Sequence, residues 1–333
     1  MNRREIISLV ILLVVVSYGA YKYITREYVE TRSKYMLDTI VEISAASKSK
    51  TVGNDIENIF SYIKEMEQKF NEYDPQSMIS KINMSSETEF EMDQDLFNLL
   101  QLADSLWQIS DGNFDPTIKP VWDLWAFNTP NPVVPDSLTL SEALKDVGFA
   151  RIQYDEDTLT KPQGMQLTLG AFAKGYILDK AIAKMKQQNL LRGFINCRSS
   201  MRFFGFSVAP LVYIQHPRNK DDSIASFRIN DLSVGTSGDY QQYFDYENVR
   251  YHHILNAKTG KPVENIFSVT VVSESAALAD GLSTALFTMN PDTALETISD
   301  MENTNCVIYY QQDDSIVSLK SEGMRELEFS EKL

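Results

Sequence analysis

The residues best suited to chemistry lie late in the chain, in Ala279-Asp280-Gly281-Leu282-Ser283-Thr284-Ala285. Helical spacing puts Asp280 and Thr284 one turn apart on one face. A carboxylate and a hydroxyl form a hard-oxygen pair of the kind Mg²⁺ takes, with waters and substrate phosphate completing its shell. The plainer alternative is an exposed Asp beside a Thr bonded back to the i−4 carbonyl. Three other stretches are dense in Gly, Asp, Thr and aromatic residues. Leu169-Gly170-Ala171-Phe172-Ala173-Lys174-Gly175-Tyr176 reads as a turn into a helix, where small residues admit a ligand, free N–H groups favour phosphate and Lys174 adds a cation. Ser233 to Tyr240 precedes Arg250-Tyr251-His252-His253-Ile254 and a turn at Asn256-Ala257-Lys258-Thr259-Gly260-Lys261-Pro262. His253 there is an acid/base or phosphate-contacting candidate, or else a satisfied histidine on a strand. Asp111-Gly112-Asn113-Phe114-Asp115-Pro116-Thr117, followed by Trp122 and Trp125, offers a stacking surface beside polar groups, or a loop pinned by buried tryptophans.

Composition excludes several other chemistries. Lys plus Arg total 31 and Asp plus Glu 46, giving 31 − 46 = −15 and disfavouring nucleic-acid backbone binding. The three histidines, His216, His252 and His253, include no HExxH zinc motif. Cys197 and Cys306 form no CxxC, and no P-loop, GxGxxG or GxSxG is present. The chain has 333 residues, 43% of them apolar and 23% charged, which is enough for a sizeable core.

The elements that must position these residues follow from periodicity. Ile6 to Tyr21 is an uncharged run preceded by Arg3 and Arg4 and followed by Lys22 and Arg26. It reads as an uncleaved membrane anchor rather than a cleaved signal, with the basic end inside and the rest exported. Residues 1–24 are thus the anchor, 25–34 a charged linker and 35–333 the functional domain. Strands are expected over Tyr35–Ser44, Gly193–Phe206, Val208–Ile214, Ile224–Asn230, Tyr251–Leu255 and Ser268–Val272, with a closing hairpin at Cys306–Tyr310 and Ile316–Leu319. Helices are expected over Asp55–Phe70, Gln94–Ile109, Leu138–Val147, Gly170–Gln188, Ser275–Met289 and Pro291–Glu302. Ser110–Phe127 and the Pro-rich Asn128–Asp136 read as loop. Separated helices with hairpin-spaced strands favour an α+β arrangement.

In order and spacing, these segments resemble the ApbE family of FAD:protein FMN transferases, from about Tyr35 to Leu319. The resemblance is carried by Met36 with Thr39-Ile40-Val41, Phe70-Asn71-Glu72-Tyr73-Asp74-Pro75 with Ser80-Lys81-Ile82-Asn83, and Phe114-Asp115-Pro116-Thr117. It continues through Leu169 to Tyr176 with Asp179, Thr236-Ser237-Gly238-Asp239-Tyr240, His253-Ile254, Thr259-Gly260-Lys261-Pro262 and Ala279 to Ala285. The resemblance implies an α+β fold of two subdomains with mixed or antiparallel sheets and a flavin cleft between them. It implies FAD as donor substrate, Mg²⁺ as cofactor and FMN transfer to a Thr or Ser of a target protein, with membrane redox complexes as the family's customary clients. Met36, Tyr73, Asn113, Phe114, Asp115, Lys174 and His253 fall where the family contacts FAD. The backbone carbonyl of Ala171, the carboxylate of Asp280 and groups of Ser283 and Thr284 fall where it holds Mg²⁺. Thr168 stands where the family has an acidic cofactor contact, and Arg198-Ser199-Ser200 replaces a Gly-Gly-Asp run. Those substitutions remove acceptors and crowd the backbone, so an exported protein that binds flavin without transfer, or hydrolyses FAD, is the alternative. A structural component of a membrane redox complex is a third reading. Either His253 or Asp239 is expected to take the acceptor hydroxyl's proton. Export would permit a Cys197–Cys306 disulfide, which the sequence leaves open.

Overall fold

The computed structural model describes residues 2–332; Met1 and Leu333, the outer bounds of the expected anchor and domain, lie outside it. Asn2 caps helix α1 (Arg3–Ile24), whose 22 residues are all exposed. At 1.5 Å per residue it is about 33 Å long, and it is apolar enough to cross a bilayer.

Residues 25–34, expected to be a linker, belong largely to strand β1 (Tyr28–Met36), which pairs with β2 (Thr39–Ser47). The expected single strand over Tyr35–Ser44 is therefore a hairpin, turning through Leu37 and Asp38 at φ 53° and 56°. The charges hid β1. Arg32 and Lys34 both pair with Glu57 of helix α2 (Val52–Phe70) instead of burying apolar groups. Helix α2 buries its expected stripe of Ile56, Ile59, Phe60, Ile63, Met66 and Phe70. A short helix α3 (Met78–Met84), absent from the sequence reading, follows, then β3 (Glu89–Glu91) and α4 (Gln94–Ile109), the last with the expected bounds. The stretch read as loop holds α5 (Lys119–Leu124), and α6 (Ser137–Ala143) comes after the Pro-rich excursion. Strands β4 (Gln153–Tyr154) and β5 (Thr158–Thr160) join β3 in a small sheet.

Helix α7 (Ala173–Gln187) leads to β6 (Arg192–Asn196) and β7 (Ser200–Phe204), so the expected strand region is another hairpin, with Arg198 at φ 65° in its turn. Then come β8 (Leu211–His216), β9 (Asn219–Arg228), β10 (Ser233–Gly238), the hairpin β11 (Tyr243–Tyr246) and β12 (Val249–His252), and the short pair β13 (Leu255–Asn256) and β14 (Lys261–Pro262). The chain closes with β15 (Ile266–Ser273), α8 (Ala276–Phe287), α9 (Pro291–Ser299), β16 (Asn305–Gln312), β17 (Ser315–Lys320) and β18 (Ser330–Glu331).

The main sheet has eight strands in the order β1-β2-β6-β7-β10-β15-β16-β17, antiparallel throughout. Strand β15 is buried at every position, as a strand covered on both faces must be. One face packs on α2, α4, α7 and α8 around Ile43, Ile59, Leu178, Ala279 and Val269. The other carries the three-stranded sheet β18-β9-β8, with Phe227 and Tyr309 between the layers. A third cluster joins Val121, Trp125, Leu140 and Leu255, with Trp122, Phe127, Phe244 and Tyr251 packed against it. Trp125 stacks on Phe127 at 5.8 Å between ring centroids. Cys197 and Cys306 are both free and buried.

Candidate active site

Two glycines bring α8 to its place. A Cβ on Gly175 would lie 2.1 Å from the Ala276 carbonyl oxygen, and one on Gly235 would lie 2.3 Å from that of Ala279. The sequence reading assigned small residues near Lys174 to ligand approach. At Gly175 the neighbour is α8 itself, which must nearly touch α7 on one side and β10 on the other.

Asp280, buried on α8, is held at both oxygens. It accepts the Gly175 N–H at 3.0 Å and the Ser200 hydroxyl at 2.7 Å. One turn on, Thr284 Oγ1 lies 2.9 Å from Ser237 Oγ of β10, which is also 2.9 Å from Ser283 Oγ. Ser283 donates to the Asp280 carbonyl at 2.8 Å. Asp280, Thr284, Ser237 and Ala171 all line one cavity of about 860 Å³. Ser283 supports this wall from behind and is not among the lining residues. The exposed-Asp alternative therefore fails, because Asp280 is fixed by its neighbours.

Lys174 lines the same cavity, its Nζ donating to the Gly170 carbonyl at 3.3 Å. The helix start beside it is less open than the sequence suggested. The Ala173 N–H bonds the Leu169 carbonyl at 2.8 Å, and the Gly175 N–H is taken by Asp280.

His253 and Phe114 also face the cavity. His253 Nδ1 is 3.2 Å from the Gln242 carbonyl oxygen, so Nδ1 carries the proton and Nε2 remains an acceptor. Burial, with His252 adjacent, pushes its pKa down to about 4. His252 is committed elsewhere: its Nε2 donates to the Val263 carbonyl at 2.7 Å.

Asp239, the other proton-acceptor candidate, is paired with an arginine. Its two oxygens accept from Arg218 Nη1 and Nη2 at 2.8 and 2.7 Å, and the guanidinium lies 4.0 Å from the centroid of the Phe267 ring. It is not on the cavity wall. Asn113 and Met36 are also absent from that wall. Asn113 Oδ1 accepts from Asn256 at 3.1 Å and its carbonyl from Ala257 at 2.8 Å, while Met36 is buried in the main core. Asp115 borders the cavity, but its carboxylate accepts from the Thr117 N–H and hydroxyl and the Phe149 N–H at 2.5–2.9 Å. For Asn113 and Asp115 the pinned-loop reading holds. Trp122 and Trp125 complete the pinning, donating to the carbonyls of His253 and Gly260 at 3.1 and 2.9 Å.

Tyr73 and Thr168 line the cavity beside Glu72 and Lys119. Sequence reasoning missed Glu72 and Lys119 as site residues, and it counted Ser200 only as a departure. Glu72 sat inside a quoted motif, whereas nothing local marks Lys119 or ties Ser200 to Asp280, 80 residues away.

A hydroxyl- and carboxylate-bearing wall, a lysine and a histidine thus surround one cavity beside an antiparallel α+β sheet. The chain belongs to the ApbE family, whose model matches residues 37–308. It is 28% identical to the FAD:protein FMN transferase of Haemophilus influenzae over 287 residues, 81% of this chain and 82% of that one. The corresponding Klebsiella pneumoniae protein is also 28% identical, over 78% of this chain and 83% of its own length. Among solved structures, the ApbE protein of Thermotoga maritima superposes with a TM-score of 0.83 at 30% identity, covering 90% of this chain and 99% of that one.

Proposed function

We propose that this protein transfers FMN from FAD to a Thr or Ser hydroxyl of a target protein and releases AMP. The observation that carries the reading is the convergence of Asp280, Thr284, Lys174 and His253 on one cavity, in a chain whose relatives are named for that transfer. The donors on the α8 side are all oxygen, and the described residues hold no cluster of three His, Cys, Asp or Glu. One carboxylate, hydroxyls and the Ala171 carbonyl fit a hard dication that keeps waters and takes a phosphate oxygen. Mg²⁺ held by these groups would neutralise charge on the diphosphate.

The chain's own residues do the remaining work. Lys174 adds positive charge beside the diphosphate. Phe114 and Tyr73 supply aromatic surface for the rings. His253 Nε2 takes the proton of the acceptor hydroxyl as its oxygen bonds the FMN-side phosphorus. The P–O bond to the AMP phosphate breaks, and AMP leaves with the bridging oxygen. Positioning is the larger share of the catalysis, as in other phosphoryl transfers. The N-terminal helix anchors the domain in the membrane with its site on the exported side, where an exported acceptor, such as a redox-complex subunit, would meet it.

The test incubates the full chain in detergent with FAD, Mg²⁺ and a protein bearing an acceptor Thr. A fluorescent, covalently flavinylated acceptor band should appear, and Asp280→Ala should reduce its rate by on the order of 10²-fold or more. AMP release without acceptor would identify FAD hydrolysis. Flavin binding with no AMP in either arm would identify a non-catalytic binder and refute the transferase reading.

A further inference from the structure

Glu72 is a half-buried carboxylate on the cavity wall whose ion pair with Lys119 is a long one. It follows α2, its side chain is 12% exposed, and its Oε1 lies 3.6 Å from Lys119 Nζ. Lys119 is held more tightly by Asp123, at 2.9 and 3.0 Å. The hydroxyls of Thr168 and Tyr73 lie near enough to Glu72 to bear on its titration. Tyr73 accepts from Asn128 Nδ2 at 3.3 Å. Burial pushes the Glu72 pKa up, against the pull of Lys119. A carboxylate offers about four lone-pair sites, and those facing the cavity are open to a donor on a ligand.

We propose that Glu72 accepts a hydrogen bond from a ring N–H of the bound dinucleotide, with Lys119 donating to the ring acceptor next to it. This inference rests on the flavin reading above. A diphosphate is excluded as the Glu72 partner by charge, and it belongs with Lys174 and the α8 wall. FAD offers two ring edges with a donor beside an acceptor: the isoalloxazine imide, N3–H between two carbonyls, and adenine, with its exocyclic amine beside N1. Each complements a carboxylate flanked by an ammonium group. Glu72 thus fixes which way the ring edge faces, and through it the register of the diphosphate along the cavity.

The experiment measures binding to the full chain in detergent, without metal or acceptor, by flavin fluorescence and calorimetry. Riboflavin is compared with 3-methylriboflavin, and AMP with N6,N6-dimethyl-AMP, on wild type and Glu72→Met. In wild type, methylation within one pair should weaken binding about 10-fold or more, and the affected pair identifies the ring. In Glu72→Met that penalty should vanish, which a merely structural role would not produce. Wild type indifferent to both methylations, or a penalty equal in wild type and variant, overturns the proposal. The wild-type comparison stands alone if the variant fails to fold. Absence of FAD, riboflavin and AMP binding in wild type would instead overturn the flavin reading, and this proposal with it.

Discussion

At the α8 end of the cavity, Asp280 has both oxygens fixed, one by a helix N–H and one by a strand hydroxyl, and every supporting group sits on a regular element. At the Glu72 end, the carboxylate stands just past a helix, 3.6 Å from a lysine that a neighbouring aspartate holds more closely. The first arrangement sets a charge in one orientation before any ligand arrives, as electrostatic stabilisation of a reacting diphosphate requires. The second leaves hydrogen-bonding capacity for a ligand to complete. His253 lies between these styles, on a loop end but locked by the Gln242 carbonyl and, through its own carbonyl, by Trp122.

Four perturbations sharpen or break this contrast. The largest effect is expected from Gly175→Ala, whose Cβ would lie 2.1 Å from the Ala276 carbonyl oxygen and 2.8 Å from the Ala277 Cα. Backbone must move, so we expect a loss of about 1–3 kcal/mol in urea unfolding and a matching loss of transfer. A variant as stable and active as wild type would show that the α7–α8 contact does not hold the site.

His253→Gln should lower transfer by roughly 10²-fold while FAD titration stays near wild type. With the His253 pKa near about 4, the wild-type rate should be flat above about pH 5 and fall below it as the base is protonated. The variant should lack that fall. The folded-state pKa also lies below the ordinary 6.5, so the native state binds fewer protons than the unfolded chain. Its stability should therefore decline as pH drops through roughly 6.5 to 4, measurable by urea unfolding at pH 7 and pH 4.5.

Ser200→Ala removes a buried hydrogen bond to the Asp280 carboxylate, a loss of about 1.5–3 kcal/mol for a charged acceptor. Half-saturation for Mg²⁺ should rise several-fold, with FAD affinity in the absence of metal unchanged. An unaltered Mg²⁺ dependence would mean that Asp280 needs no such brace. The smallest effect is Arg198→Gly. Relieving a left-handed φ of 65° should stabilise the chain by up to ~1 kcal/mol in thermal melts, with no change in transfer.

Much of this molecule is legible in its residues. The stripe of α2, the bounds of α4 and the one-face placement of Asp280 and Thr284 all follow from 3.6-residue periodicity, a local property that burial then reinforces. Strand β1 escaped because it carries the charged Arg32 and Lys34, whose partner Glu57 lies on helix α2. Helix α3 was too short to show a period. The side-chain partners of Asp239 and Asn113 were not legible because a motif marks a position without revealing which way its side chain turns. Asp239 turns to Arg218, and Asn113 to Asn256.

By itself the sequence determined the α+β class, an uncharged apolar run near the N-terminus, the excluded chemistries and the carboxylate–hydroxyl pair on one helical face. Only the tertiary structure decided that Ser200 braces Asp280, that Asp239 pairs with Arg218, that burial lowers the His253 pKa and that Glu72 faces the cavity. The division has a physical cause. Periodicity and turn chemistry act over a few neighbours along the chain. The partners of a buried polar group are set by packing between elements distant in sequence.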